Sequence, residues 1–375
     1  MNKKILLISY RLGMSKLLYW DPILSAIKEE YSNFKVFTAF PKLETNNKSI
    51  STECELDGLK FYRNIGKTNA TLLYIPLPFF LLKIKQFKPD LVILNEFNLS
   101  CFYVLFFNFM SRKSKKLLLV ESDPFVGYDN RHSVLRNIIR KFIVRKCDRI
   151  LTNNTLGYDY LTKVLKCKSE KITVLPYLSS VPPTSVGVLN NHNSNKGKIR
   201  FLFVGQIIER KGLIYVLNAI NQLPKEIQKK IQFDVIGKGN MFDELQKFKN
   251  QNELDCVNFM GFVEYEKLAY FYSLADCFIL NTLHDYRALV GFEALTSGCA
   301  IIGSKNDGAR FETIHEGKNG FIVDPVNINE IKVSITKLVE NQELLDKYKN
   351  YSMKLSEEFT AIKCNENILS VLENI

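Results

Sequence analysis

Paired cysteines, clustered histidines and long apolar runs are all missing from this chain of 375 residues, and each gap closes a class of function. No stretch approaches the ~18 or more uninterrupted apolar residues of a membrane-crossing helix. The best candidate, Leu99 to Met110, is broken by Ser100 and Asn108, so an integral membrane topology is not expected. The start, Met1-Asn2-Lys3-Lys4, is basic, but the run Ile5 to Ile8 is too short for the apolar part of a secretory leader and reads instead as a first strand. Eight cysteines (54, 101, 147, 167, 256, 277, 299 and 364) form no C-x-x-C pair and no zinc-like spacing. Most lie inside apolar segments, where a reduced thiol packs as a small hydrophobe, and this fits a reducing cytoplasm. The four histidines make no metal pair: His132 is isolated, His192 lies in a polar linker and His315 in a turn, while His284 stands beside an acid.

Length, at ~150 residues per domain, suggests two domains. A hydrophobic share of 46% and a charged share of 24% are globular proportions, which excludes a disordered charged tail or a collagenous chain. The formal charge of +12 is unevenly placed. Residues 1–198 carry 31 Lys and Arg against 15 Asp and Glu, whereas residues 199–375 carry 20 against 24. A surplus confined to one half implies a partner for that half, with anionic lipid, an acidic acceptor or nucleic acid as the candidates. Basic and apolar residues interleave in Val134-Leu-Arg-Asn-Ile-Ile-Arg-Lys-Phe-Ile-Val-Arg-Lys146 in the manner of an interfacial helix, which favours an anionic membrane surface. No aromatic-plus-basic motif supports nucleic acid, and none is expected as a partner.

Short β-rich runs alternate with helix-length segments along the whole chain. In the first half they fall at about Lys4–Ser9, Val36–Ala39, Leu91–Leu94, Leu117–Val120 and Arg149–Thr152. In the second they fall near Arg200–Val204, Gln232–Ile236, Val257–Met260, Cys277–Asn281 and Ala300–Gly303. Such alternation predicts parallel sheets covered on both faces. Between the halves, Pro176 to Lys198 contains Pro182-Pro183 and a polar Asn-rich stretch without apolar periodicity, and reads as a linker. The expected object is α/β: two Rossmann-like doubly wound domains facing a central cleft, over 1–176 and 199–350, joined by 177–198, with a helical segment at 351–375 returning to the first domain. Ligands of such sheets bind beyond the carboxyl ends of the strands.

Polar residues and glycines gather at three of those ends. The first is Gly205-Gln206-Ile-Ile-Glu-Arg210-Lys211-Gly212, where Gly205 lets the backbone turn and two cations precede a helix start. A phosphate there would meet amides and cations together. The second is Gly237-Lys-Gly239, which lacks the third glycine of a dinucleotide fingerprint and does not argue for NAD. The third is the loop Thr282-Leu-His-Asp285-Tyr-Arg287 before the helix Ala288-Leu289-Val290-Gly-Phe-Glu293-Ala-Leu-Thr-Ser297, with Gly298 as its stop. Asp285 and Glu293 are eight apart, about 12 Å of helical rise. With Asp285 in the loop, both acids can flank the helix start, where the amides of Leu289 and Val290 offer themselves to an anion. Carboxylates beside a phosphate site suit a ligand that also presents hydroxyls. Glu293 lies in a mostly apolar helix, and buried acids are rare without partners.

These segments resemble the retaining nucleotide-sugar glycosyltransferases of the GT-B fold, in particular glycosyltransferase family 4. That family carries a strand ending in Gly-Arg, then Lys-Gly, and an E-x7-E element that here reads Asp285-Tyr-Arg-Ala-Leu-Val-Gly-Phe-Glu-Ala294. The likeness continues through Ser297-Gly298-Cys-Ala-Ile-Ile-Gly-Ser304, Asp307-Gly-Ala309 and Gly317-Lys-Asn-Gly-Phe-Ile-Val-Asp-Pro325, with further echoes at Val257–Phe262 and Ala275–Leu280. It implies that Lys211 holds a donor diphosphate, that Leu289 and Val290 offer it amides, that Glu293 binds the ribose and that Asp285 faces the transferred sugar. Donor contacts are likewise expected from Gly13, Gly205, Gln206, Arg210, Gly237, Phe262 and Ala288. Asp123, or Glu121 before it, is the expected neighbour of the acceptor hydroxyl. Two departures stand out: Gln206 occupies the family's Arg position, which leaves Arg210 to supply that charge, and Asp285 replaces a Glu.

No Asp-x-Asp occurs, so the resemblance implies metal-independent transfer of a hexose or N-acetylhexosamine without a cofactor, with charge on the leaving group met by Lys211, Arg210 and a helix N-terminus. The implied acceptor is a saccharide or lipid-linked saccharide of bacterial surface polysaccharide or lipopolysaccharide synthesis, at the inner face of the plasma membrane. A nucleotide-sugar epimerase of the same fold and an inactive sugar-nucleotide-binding relative are the alternatives.

Overall fold

The computed structural model describes residues 2–9, 21–38, 54–55, 58–65, 69–110, 116–121, 134–175, 197–285 and 287–375. The chain divides into two units, Met1–Ser179 with Ala361–Ile375, and Ser180–Thr360.

The first unit runs β1 (Ile5–Ile8), α1 (Asp21–Glu30), β2 (Phe34–Thr38), β3 (Cys54–Glu55), β4 (Gly58–Ile65), β5 (Asn69–Pro76), α2 (Phe80–Phe87), β6 (Leu91–Asn95), α3 (Leu99–Met110), β7 (Lys116–Glu121), α4 (Val134–Lys146), β8 (Arg149–Thr152), α5 (Thr155–Asp159) and β9 (Ile172–Val174). Seven of these strands form one parallel sheet in the order β3-β2-β1-β6-β7-β8-β9. Its strands are apolar at nearly every position because both faces are covered. Leu6, Ile8, Val92, Leu94, Leu117 and Leu119 pack against the inward sides of α2, α3 and α4. The alternating Ile5, Leu7, Leu91, Ile93, Leu118 and Val120 pack on the opposite face with Ile23, Leu24 and Ile27 of α1.

The stretch between the second and third expected strands differs from its sequence reading. Rather than a helix-length connection alone, it holds β4 and β5, paired antiparallel from Gly58 with Pro76 to Ile65 with Asn69, in a separate two-stranded sheet. Both runs are rich in aromatic and β-branched residues, which favour an extended chain.

The second unit runs β10 (Ile199–Val204), a 3₁₀ turn at Glu209–Lys211, α6 (Leu213–Asn221), α7 (Lys225–Lys229), β11 (Ile231–Ile236), α8 (Phe242–Gln251), β12 (Val257–Gly261), α9 (Tyr265–Leu274), β13 (Cys277–Leu280), α10 (Leu289–Thr296), β14 (Ala300–Ser304), α11 (Arg310–Thr313), β15 (Gly320–Val323), α12 (Ile328–Glu340) and α13 (Gln342–Ser356). Its six strands are parallel in the order β12-β11-β10-β13-β14-β15. Strand order reverses between β10 and β13, which opens a crevice at their carboxyl ends.

The last helix, α14 (Ala361–Glu373), belongs to the first unit, where Ile368 and Leu372 join the core beside α1. The passage back therefore lies at Thr360–Ala361 rather than at 350, because α13 stays with the second unit and packs on α10 and β14. Of the expected linker, 176–196 lies outside the described residues. No helix among the described residues is long and apolar enough to cross a membrane.

Candidate functional site

Three strand ends of the second unit meet through their backbones. After β10 the amide of Gly205 donates to the carbonyl of Ile236, and after β11 the amide of Gly237 donates to the carbonyl of Gly261. The approach is close: a Cβ on Gly237 would land on the carbonyl oxygen of Gly205. Phe262, just past β12, is 64% exposed, and Gln206 is exposed as well. Gly205, Gln206, Gly237 and Phe262 thus share the carboxyl edge of one half of the sheet.

The 3₁₀ turn then carries Arg210 and Lys211 into Gly212, whose φ of 62° is the left-handed conformation that ends the turn and starts α6. A side chain there would also strike the carbonyl of Asn281. This turn is stitched to the loop after β13. The Leu283 amide donates to the Arg210 carbonyl at 2.7 Å, and Asn281 Nδ2 donates to the carbonyls of Gly212 and Pro325 at 3.0 and 2.9 Å. The stitching brings Lys211 Nζ to 2.6 Å and Arg210 Nη1 to 2.9 Å from the same oxygen, Asp285 Oδ2. Arg210 Nη1 also donates to the carbonyl of His284 at 2.7 Å.

Two cations on one carboxylate decide its protonation. Burial pushes the Asp285 carboxyl up, but Lys211 and then Arg210 outweigh it and hold the group below the ordinary carboxylate range. The cluster keeps one positive charge in excess. It sits at the crevice between β10 and β13, since Arg210 and Lys211 follow the one strand and Asp285 the other.

Ala288 caps α10, and Leu289 and Val290 are its first two residues, half-buried, with amides that have no acceptor inside the helix. Glu293 lies deeper in the same helix and is 8% exposed, in keeping with its apolar sequence neighbours. Tyr272 Oη donates to its Oε2 at 2.7 Å. Burial raises the Glu293 carboxyl, partly offset by hydrogen bonds from Tyr272 and Tyr265. Burial, and after it the charge of Glu293, raises the Tyr272 hydroxyl in turn. Gly298, with φ of 73°, closes the helix, its amide reaching the carbonyl of Leu295 and that of Cys299 the carbonyl of Ala294.

One acid escaped the sequence reading. Asp307 is fully buried, and its Oδ1 accepts the amide of the helix cap Ala288 at 3.1 Å. Its Oδ2 finds no partner among the described residues. The Asp307 and Asp285 backbones form a parallel bridge: the Asp285 amide donates to the Asn306 carbonyl, and the Gly308 amide to the Asp285 carbonyl. Burial, and next the charge of Asp285, pushes the Asp307 carboxyl up to about 7. In sequence, Asp307-Gly-Ala309 figures only as a continuation of the family likeness, which gave this acid no role and no sign of its burial.

Gly13 and Asp123 lie outside the described residues, and so does the side chain of Glu121 at the end of β7. Among the described residues no cluster of three or more His, Cys, Asp or Glu is placed to hold a metal ion.

Residues 189–355, nearly all within the second unit, match the model of the family Glycosyl transferases group 1. An uncharacterized glycosyltransferase of Methanocaldococcus jannaschii is 23% identical over 239 residues, 61% of this chain and 66% of its own. The N-acetylgalactosamine-N,N'-diacetylbacillosaminyl-diphospho-undecaprenol 4-alpha-N-acetylgalactosaminyltransferase of Campylobacter jejuni is 22% identical over 328 residues, 85% of this chain and 87% of its own. Against the first curated relatives it matches, the chain spans between about half and two thirds of their length. The crystal structure of Anabaena HepE in complex with UDP superposes with a TM-score of 0.74 at 15% identity, over 99% of this chain and all of that one. The fold is GT-B.

Proposed function

We propose that this chain is a retaining glycosyltransferase that moves a hexose or N-acetylhexosamine from a nucleoside diphosphate sugar to a saccharide or lipid-linked saccharide. The observation that carries the reading is the convergence of Arg210 and Lys211 on Asp285 at the crevice where strand order reverses. A diphosphate entering there takes the two cations from Asp285 and meets the open amides of Leu289 and Val290. Asp285, released, turns to the hydroxyls of the transferred sugar, and Glu293 takes those of the ribose. As the bond to the sugar breaks, charge grows on the leaving diphosphate, and the fixed cations and helix mouth stabilise it without reorganising. The UDP held by the Anabaena neighbour favours a uridine donor. The undecaprenol-linked acceptor named for the Campylobacter relative favours a lipid-linked one, within bacterial surface polysaccharide or lipopolysaccharide synthesis. The basic first half takes that acceptor at the inner face of the plasma membrane.

A thermal-shift screen against UDP, GDP, ADP and their sugars tests the donor. A ligand at ~100 times its dissociation constant adds ~2.7 kcal/mol of stability, which moves the melting point visibly. UDP-sugars are expected to give the largest shift, and Glu293→Gln, which keeps the shape but lowers the acceptor strength at the ribose, to reduce it. No shift with any nucleotide overturns the reading, as does conversion of donor to an epimer without acceptor.

Metal independence is tested separately. Since Lys211 and Arg210 carry the charge that a divalent cation would, transfer is expected to survive chelation undiminished. Strict dependence on added Mn²⁺ overturns that part.

A further inference from the structure

The outward side of the layer formed by α2, α3 and α4 is apolar where a protein surface is ordinarily polar. These helices are neighbours, with α3 touching both others and Phe102 stacked on Phe142 at 6.4 Å between ring centres. Their inward residues, among them Ile84, Val104 and Ile143, are spent on the core. Yet Phe106, Phe109 and Met110 of α3 are 64%, 83% and 67% exposed, and Val134, Leu135 and Ile138 of α4 are 73%, 69% and 58% exposed. At 100° per residue, the three exposed α4 residues and Phe142 fall within one arc of ~100°, with Arg145 inside it and Lys141 and Lys146 at its margins. An apolar patch of this extent marks a contact surface.

Charge identifies what the surface fits. The segments Phe80–Phe87, Leu99–Met110 and Val134–Lys146 contain seven Lys and Arg and no Asp or Glu. Arg140 is drawn inward, over the Phe97 ring and onto Tyr160 Oη, but Arg136, Arg145 and Lys146 remain exposed. A second copy of the chain, face to face, would set cations against cations. An anionic bilayer offers the opposite: headgroups for the cations and an acyl boundary for the apolar side chains between them.

We propose that this face is a bilayer-docking surface on which α3 and α4 lie flat, their exposed Phe, Met, Leu and Ile side chains entering the headgroup boundary of anionic lipid. It rests on the transferase reading for the lipid-linked acceptor, but the lipid contact itself needs no catalysis. Binding then has an apolar part that salt does not screen and a cationic part that salt weakens.

The test is flotation of the full chain with vesicles of phosphatidylcholine alone and of equimolar phosphatidylcholine and phosphatidylglycerol. The protein is expected to float with the anionic vesicles and only weakly with the neutral ones. Because the changed side chains are exposed, Leu135→Ser/Ile138→Ser and Phe106→Ser/Phe109→Ser should keep the wild-type circular dichroism and response to nucleotide sugars while losing about ten- to a hundredfold in partitioning. Arg145→Glu/Lys146→Glu should lose about tenfold or more on anionic vesicles and little on neutral ones. Failure of the wild type to float, or equal flotation of all variants, overturns the proposal. So does a wild-type dimer in sedimentation that the serine variants dissolve, which would make the face a self-association surface. Flotation with no response to any nucleotide sugar supports the docking surface and overturns the transferase reading alone.

Discussion

Lys211→Met should lower kcat/KM for sugar transfer by about a hundred- to a thousandfold, the effect of removing one fixed donor from developing oxyanion charge. The Lys211 side chain is 13% exposed, and its ammonium lies 2.6 Å from Asp285, so its charge acts where water screens little. Methionine keeps most of the stem and its packing, and Arg210 still pairs with Asp285, so the fold should survive. The loss should appear mainly in kcat, because the charge on the diphosphate oxygens grows as the sugar leaves. Asp285→Asn provides the opposing arm: without the carboxylate that occupies both cations, free nucleoside diphosphate should bind more tightly while turnover falls. Initial rates and product inhibition measured on both variants check the pair of outcomes. A change below about threefold for Lys211→Met would remove this residue from the charge-stabilising role.

Asp307→Asn should make the protein more stable in mild alkali and leave it nearly unchanged only below about pH 4. A folded carboxyl near 7, against an ordinary value of 3.8, binds its proton more tightly folded than unfolded. Stability is then full below about pH 4 and falls as pH rises towards about 7. Over that window the fall is at most about 4 kcal/mol, at ~1.4 kcal/mol per unit. Asparagine has the shape of the protonated acid, keeps an oxygen for the Ala288 amide and cannot ionise. Unfolding free energies of the variant and the wild type from urea titrations should therefore agree at about pH 3, separate by about 1–2 kcal/mol at about pH 5 and by a few kcal/mol at about pH 8, the variant being the more stable. An equal difference at every pH would mean that the folded and unfolded carboxyls titrate alike, and would overturn the upward shift. Asp285 moves in the opposite sense: its cations keep the carboxyl low, so its contribution is present above the ordinary carboxylate range and is lost as acid protonates it.

The parallel strands were legible because burial on two faces leaves little room for polar residues: Ile5-Leu-Leu-Ile8 and Cys277-Phe-Ile-Leu280 carry no alternation to confuse with a surface strand. The loops at their carboxyl ends were legible as well, since glycine and cations stand out after an apolar run. The hairpin of Gly58–Ile65 and Asn69–Pro76 was not, although two β-rich runs three residues apart are a hairpin signal, because the surrounding strand-and-helix rhythm set a helix in its place. Asp307 was hidden for a different reason. Burial of a carboxylate is a property of what packs around it, and the Ala288 amide that it accepts lies nineteen residues away in sequence. The meeting of Lys211 with Asp285 spans 74 positions and depended on β10 and β13 being neighbours, which only the sheet order reveals.

The return of α14 to the first unit sets an order on biosynthesis. Ile368 and Leu372 sit in the same apolar cluster as Ile5, Leu7 and Ile27, so a ribosome must make all of Ser180–Thr360 before that cluster can close. The second unit, one unbroken stretch of chain, can finish folding while the first still waits with an open side. During that interval the apolar flank of β1 and α1 that Ile368 and Leu372 later cover stays open to water.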